Sequence, residues 1–218
     1  MLMKNNNNIL LYLILIFFSL IQGLVADEFD ISALNIKLLQ NSEIIQAEGN
    51  VLIVGQDGII IESEIATYDK KENIIDAKKS VKITDRKTND ELKSDKIQYS
   101  KKKEEILAEG NVFFKGSKGV TIETEIALYD KRNQVIKSDQ LTKMNDGYGN
   151  SILLDMFNYS TKNNNLRSQG NIKITDKYEN KYFFDDIFVD IKNKRMAGSN
   201  LKLKFKRIHL EILKMIQD

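Results

Sequence analysis

Apolar and polar positions in this chain follow a fixed beat. Ala47-Glu48-Gly49-Asn50-Val51 recurs as Ala108-Glu109-Gly110-Asn111-Val112, and more loosely as Ser168-Gln169-Gly170-Asn171-Ile172. Degenerate copies fall midway: Ala77-Lys78-Lys79-Ser80-Val81, Lys137-Ser138-Asp139-Gln140-Leu141 and Ala197-Gly198-Ser199-Asn200-Leu201. The closing apolar residue thus stands at 51, 81, 112, 141, 172 and 201, in steps of 29 to 31 residues. Self-similarity at that period marks a repeat architecture.

A second element keeps the same time. Tyr68, Tyr99, Tyr129 and Tyr159 recur every 30 or 31 residues, with Leu38 and Val189 in the outer copies. Seven, five and two residues before each lie apolar or small side chains, as in Ile61, Ser63 and Ala66 or Ile122, Thr124 and Ala127. Alternation by two predicts a strand with one face buried, and the single three-residue step predicts a bulge that re-phases it. Polar tips such as Asp69-Lys70-Lys71-Glu72-Asn73 and Lys162-Asn163-Asn164-Asn165 read as hairpin loops. No stretch between 27 and 205 carries a 3.6-residue apolar stripe. The expectation is an all-β chain of six strand–turn–strand copies, stacked into an elongated β-solenoid-like or jelly-roll sheet pair over residues 27–206.

The ends differ. Met1 to Asn8 is polar with one cation, Lys4; Ile9 to Ile21 is almost wholly apolar; Gln22 to Ala26 ends on small residues. This reads as an export signal over 1–26, cut after Ala26. Leu24 is a poor residue three before the cut, so retention as an anchor is the alternative. A 13-residue apolar run is too short to span a bilayer comfortably. Beyond Leu201 the pattern weakens, and residues 207–218 read as a short helix with apolar residues at 208, 212, 215 and 216.

Composition narrows the chemistry. There are no cysteines, so disulfides, thiol catalysis, zinc fingers and a lipoprotein anchor are excluded. The one histidine, His209, argues against a triad or a multi-histidine metal site. Lys and Arg number 33 against 31 Asp and Glu, a balance unlike a nucleic-acid binder's. No phosphate-binding loop is present. No catalytic residue, metal ligand or cofactor site is expected. Asp185-Asp186 and Glu123/Glu125 read as solvated carboxylates, the Gly-Asn pairs as positions for left-handed backbone, and Lys131 as an exposed tip residue. Lys101-Lys102-Lys103 is offset by Glu104-Glu105.

The pairing of the Ala-Glu-Gly-Asn-Val motif with Ile61-Glu62-Ser63-Glu64-Ile65-Ala66-Thr67-Tyr68-Asp69-Lys70 resembles the OstA-like (organic solvent tolerance-like) domain of the lipopolysaccharide transport bridge. That family includes a small periplasmic bridge protein and the N-terminal domain of the outer-membrane lipopolysaccharide-assembly protein. The resemblance covers residues 30 to 201. It implies a twisted β-jelly roll in the periplasm, without enzymatic activity, holding the acyl chains of lipid A in an interior groove. The groove lining it implies is Ile36, Ile61, Ala66, Tyr68, Ile97, Tyr99, Ile122, Ala127, Tyr129, Leu154, Phe157, Tyr159, Phe184 and Ile187. Partners implied are lipopolysaccharide and other OstA-like domains joined end-on by strand pairing, with head-to-tail self-association included. At about 4.8 Å per strand a sheet of this size spans roughly 30–60 Å, too little to link two membranes alone.

Other readings compete. A polysaccharide lyase on a β-helix would need a local acid–base cluster, which the sequence does not show. A secreted structural or adhesin-like repeat would have the same pattern with a filled core. A truncated fragment of the outer-membrane member would explain the closer texture to that member and the missing barrel. Small residues at lining positions, Ser63, Ser94, Thr124 and Ala127, leave room and favour a trough over a filled core.

Overall fold

The computed structural model describes residues 28–206; the export signal and the helical tail expected at the two ends lie outside them. Among the described residues the chain forms sixteen antiparallel strands of one sheet and no helix. Eight are unbroken: β3 (Ile44–Gly55), β4 (Ile59–Asp69), β5 (Ile74–Asp85), β6 (Asp90–Ser100), β7 (Glu105–Lys115), β8 (Thr121–Asp130), β13 (Asn165–Thr175) and β14 (Lys181–Asp190). The others are halves of four interrupted strands: β1 (Phe29–Ser32) with β2 (Asn35–Leu39), β9 (Val135–Ser138) with β10 (Thr142–Asn145), β11 (Ser151–Leu154) with β12 (Met156–Ser160), and β15 (Arg195–Ser199) with β16 (Lys202–Lys204). Each 30-residue repeat is therefore one pair of neighbouring strand positions.

Every long strand steps out of register near its middle, between Glu48 and Val51 in β3, Lys78 and Val81 in β5, and Glu109 and Val112 in β7. This is the three-residue step of the sequence. Ile59, Ile61 and Ser63 are buried, and so are Ala66 and Tyr68. Strict alternation would have turned the last two to solvent. The Gly-Asn pairs supply the backbone the step requires: φ is +81° and +50° at Gly49 and Asn50, +76° and +48° at Gly110 and Asn111. Asp95 on the neighbouring strand accepts from Asn111 Nδ2 at 2.8 Å, and Asp155 accepts from Asn171 N and Nδ2 at 2.8 and 2.7 Å.

Small hydroxyl residues serve the same line of bulges. Ser63 and Ser94 donate to the carbonyls of Ile65 and Lys96, and Ser168 to that of Met156. Their size at lining positions follows from this bonding to kinked backbone, not only from space left inside.

The sheet folds along that line into two leaves whose inner faces meet. Phe29, at the far end of one leaf, packs edge-on against Tyr68, at the far end of the other, with ring centroids 5.1 Å apart. The expected sheet pair is thus one sheet folded on itself.

The polar tips repeat a single turn. Asp69, Ser100, Asp130, Ser160 and Asp190 each accept the backbone N–H three residues on. The turn then closes through a residue with positive φ, at Asn73, Glu104, Gln134, Asn164 and Lys194. Short polar side chains bonding to nearby backbone make such turns cheap.

Candidate functional site

Two ladders of apolar side chains cross the inner faces, one on each leaf. The first runs Leu38, Ile45, Tyr68, Ile75, Tyr99, Ile106, Tyr129, Ile136, Tyr159, Leu166, Val189, Met196, each the register partner of the next. The second runs from Ile31 and Ile53 through Ile61, Ile83, Leu92, Phe114, Ile122, Met144, Ile152, Ile174 and Tyr182 to Leu203. Side chains directly opposite on neighbouring strands are the unit of sheet stabilisation.

The expected lining residues all fall on these inner faces. The four tyrosines stand in the first ladder, and Ile61 and Ile122 in the second. Ile36, Ala66, Ile97 and Ala127 lie beside the line of bulges on one leaf, together with Phe157 and Ile187; Leu154 and Phe184 lie beside it on the other. All are buried except Ile36. The interior between the leaves is packed by these side chains, with Ile61, Ile97, Tyr99 and Ile122 fully covered.

Three of the four ladder tyrosines place their hydroxyls on polar partners at the rim, and the Tyr129 hydroxyl is buried without one among the described residues. Tyr68 and Tyr159 donate to Asn73 and Asn164 of their own tips, each at 2.7 Å. Tyr99 donates instead across the mouth, to the Asp57 carboxylate in the β3–β4 loop, at 2.5 Å. Lys131 and Lys101 reach the same oxygen at 2.7 and 3.1 Å. Burial alone would raise the Asp57 pKa; hydrogen bonds from Lys131 and Tyr99, with the lysine charges, outweigh it and hold the carboxyl well below the usual range. Burial, then the Asp57 hydrogen bond and charge, push the Tyr99 phenol far above its ordinary value.

Similar clasps continue along the mouth. Lys118, in the β7–β8 loop, donates to the carbonyls of Thr161 and Lys162 at 2.7 and 2.9 Å. Lys194 stands 5.5 Å over the Tyr148 ring. Each joins a loop on one leaf to a tip on the other, more than one repeat further along. The clasps escape sequence reasoning because they depend on how the sheet winds. Lys131, expected at an exposed tip, is instead held at the mouth with 11% of its side chain exposed.

The two ends of the sheet are open. β2 pairs only with β3, and β15 and β16 only with β14. Inward-facing Ile36 and Leu38 are 46% and 59% exposed at one end, and Met196 and Leu203 are 48% and 49% exposed at the other. Among the described residues no group of His, Cys, Asp or Glu could hold a metal ion. Asp185 accepts from Asn200 Nδ2 and Asp186 from Ser199 Oγ, so this acidic pair braces the last strand.

No family model matches the sequence, and no curated protein matches it. Among solved structures the chain is similar to that of LptH, the LptA-homologous periplasmic component of the lipopolysaccharide transport device of Pseudomonas aeruginosa. The identity is 9%, with 83% of this chain and 99% of that chain covered, at a TM-score of 0.26.

Proposed function

We propose that this chain is a periplasmic, non-enzymatic carrier module for lipopolysaccharide, which holds acyl chains between its two leaves and joins neighbouring domains end-on through its terminal strands. The observation that carries this reading is the apolar inner face, continuous across twelve strand positions and left uncovered at both ends. Unpaired edge strands with exposed inward-facing apolar residues are where another sheet adds. The motif resemblance in the sequence points the same way. Each methylene of an acyl chain taken between the leaves would gain about 0.8 kcal/mol. Entry would part the leaves along the clasped mouth, and with no phosphate-binding loop in the sequence the driving force would come from another component.

The test is photo-crosslinking to lipopolysaccharide, with a photoreactive phenylalanine at Tyr129 or Leu154 and a control at exposed Lys103. Labelling confined to Tyr129 and Leu154 is the expected result. Equal or absent labelling would overturn it in favour of a second reading, a structural repeat with a filled core. The close packing of the inner faces favours that alternative.

A further inference from the structure

The outward side of the second half of the sheet carries a feature the lipid-carrier reading does not use. The outward row of register partners beside the first ladder begins Lys37, Gln46, Thr67, Asp76, Gln98, wholly polar. It continues Leu107, Leu128, Lys137, Asn158, Arg167, Phe188, Ala197. Solvent-facing strand positions on a solvated sheet are ordinarily polar, so the change of character at β7 needs a cause. Ile126 and Met156, 36% and 46% exposed, extend the apolar surface toward the line of bulges. These residues line a cleft of about 890 Å³, within the range of small-molecule sites. Tyr129, Ile136 and Tyr159 of the inner ladder do not border it, whereas the inward-facing Ala127, Phe157 and Ile187 beside the line of bulges do.

The placement of two cations, not net charge, selects the occupant. Lys137 and Arg167 flank Asn158 on adjacent strands, so their backbones stand about 10 Å apart. Neither forms a salt bridge among the described residues, although the Lys137 charge reaches Asp130. The Arg167 guanidinium stacks on Phe188 at 4.9 Å, which fixes its plane and leaves its N–H groups to bond outward. The lining also holds two carboxylates, Asp139 and Asp186, which balance its formal charge; they accept from Gln140 and Ser199, and the adjacent Lys137 and Arg167 are the groups left to meet an acidic head.

We propose that this cleft binds an anionic amphiphile, with its acidic head between Lys137 and Arg167 and its alkyl chain on Leu107, Ile126, Leu128 and Met156. The residues that carry it, Leu107, Ile126, Leu128, Lys137, Met156 and Arg167, are none of the groove-lining residues, so the site stands whether or not lipid enters between the leaves.

Methionine-methyl NMR on the full chain reads it directly, because Met156 borders the cleft while Met144 is buried in the inner ladder. Titrated below its micelle concentration, dodecyl phosphate should bind saturably and shift the Met156 methyl but not that of Met144. Dodecyl maltoside, with the same chain and a neutral head, should bind at least tenfold more weakly, as should inorganic phosphate. Lys137→Gln and Arg167→Gln, both on the exposed face, should each weaken dodecyl phosphate severalfold and together at least tenfold. Equal affinity for the maltoside or for free phosphate would overturn the proposal. A shift at Met144 with Met156 still, or full affinity in the double variant, would also overturn it. The outcome is independent of crosslinking at Tyr129, so either reading can fail alone.

Discussion

Lys131 and Asp57 stand 74 residues apart in sequence and 2.7 Å apart in space, with Tyr99 donating to the same carboxylate from between them in the chain. One loop beside the second ladder is thereby tied to two tips beside the first. An ion pair of this kind stabilises little relative to an apolar replacement, but losing one partner strands the rest.

Asp57→Asn leaves Lys101 and Lys131 facing a neutral amide at a largely covered mouth. The expected loss is about 2–4 kcal/mol, read as a lower urea midpoint with an unchanged slope. Lys131→Met, which keeps the aliphatic stem, should cost less, because Lys101 still neutralises the carboxylate.

Acid should act through the same group. The Asp57 pKa is depressed in the folded state relative to 3.8, so its contribution is complete above that value and declines as pH falls below it. The native chain should therefore lose stability more steeply below pH 4 than Asp57→Asn, and the two curves should converge. At the alkaline end the sign reverses. Tyr99 has a raised folded-state pKa, so its contribution holds below pH 10 and fades above it. Tyr99→Phe should lessen that alkaline fall without abolishing it, because burial also raises the Tyr129 and Tyr159 phenols.

Two glycine substitutions separate backbone strain from contact. Gly58 has φ of +93° and only the flexible Lys87 side chain nearby, so Gly58→Ala should cost about 1 kcal/mol. Gly110 has φ of +76°, and a Cβ there would meet Asp95 Oδ2 at 2.5 Å, dislodging the carboxylate that holds Asn111. Gly110→Ala should cost about 2–3 kcal/mol. Thermal unfolding of the pair checks the difference.

The open ends predict association without stability. Leu38→Lys and Leu203→Lys alter exposed positions and should change the unfolding free energy by less than about 0.5 kcal/mol. Each should abolish concentration-dependent self-association in sedimentation velocity, because a charge on an inward-facing edge position blocks sheet addition.

Much of this was legible in the sequence because burial on a strand is local. The tyrosine beat, the three-residue step at Ser63 and Ala66, and the Gly-Asn bulges each follow from residues a few positions apart. The Asp57 clasp was not legible, since it depends on how far the sheet turns before a tip meets a loop. Leu107, Leu128 and Phe188 give no signal in the sequence for a different reason. Each alone is an ordinary exposed apolar residue, and only the register places them in one row with Lys137 and Arg167 between.

The offset of the mouth contacts has a consequence for how the molecule comes apart. A loop that meets a strand end or tip more than one repeat downstream leaves no hairpin able to close itself, so a fragment needs β3 through β6 before its first polar seam, Tyr99 to Asp57, can form. The sheet is wound like a spring whose turns are stitched to one another. A spring of that kind loosens as a whole, and the protein should melt in one cooperative step instead of peeling repeat by repeat from a free end.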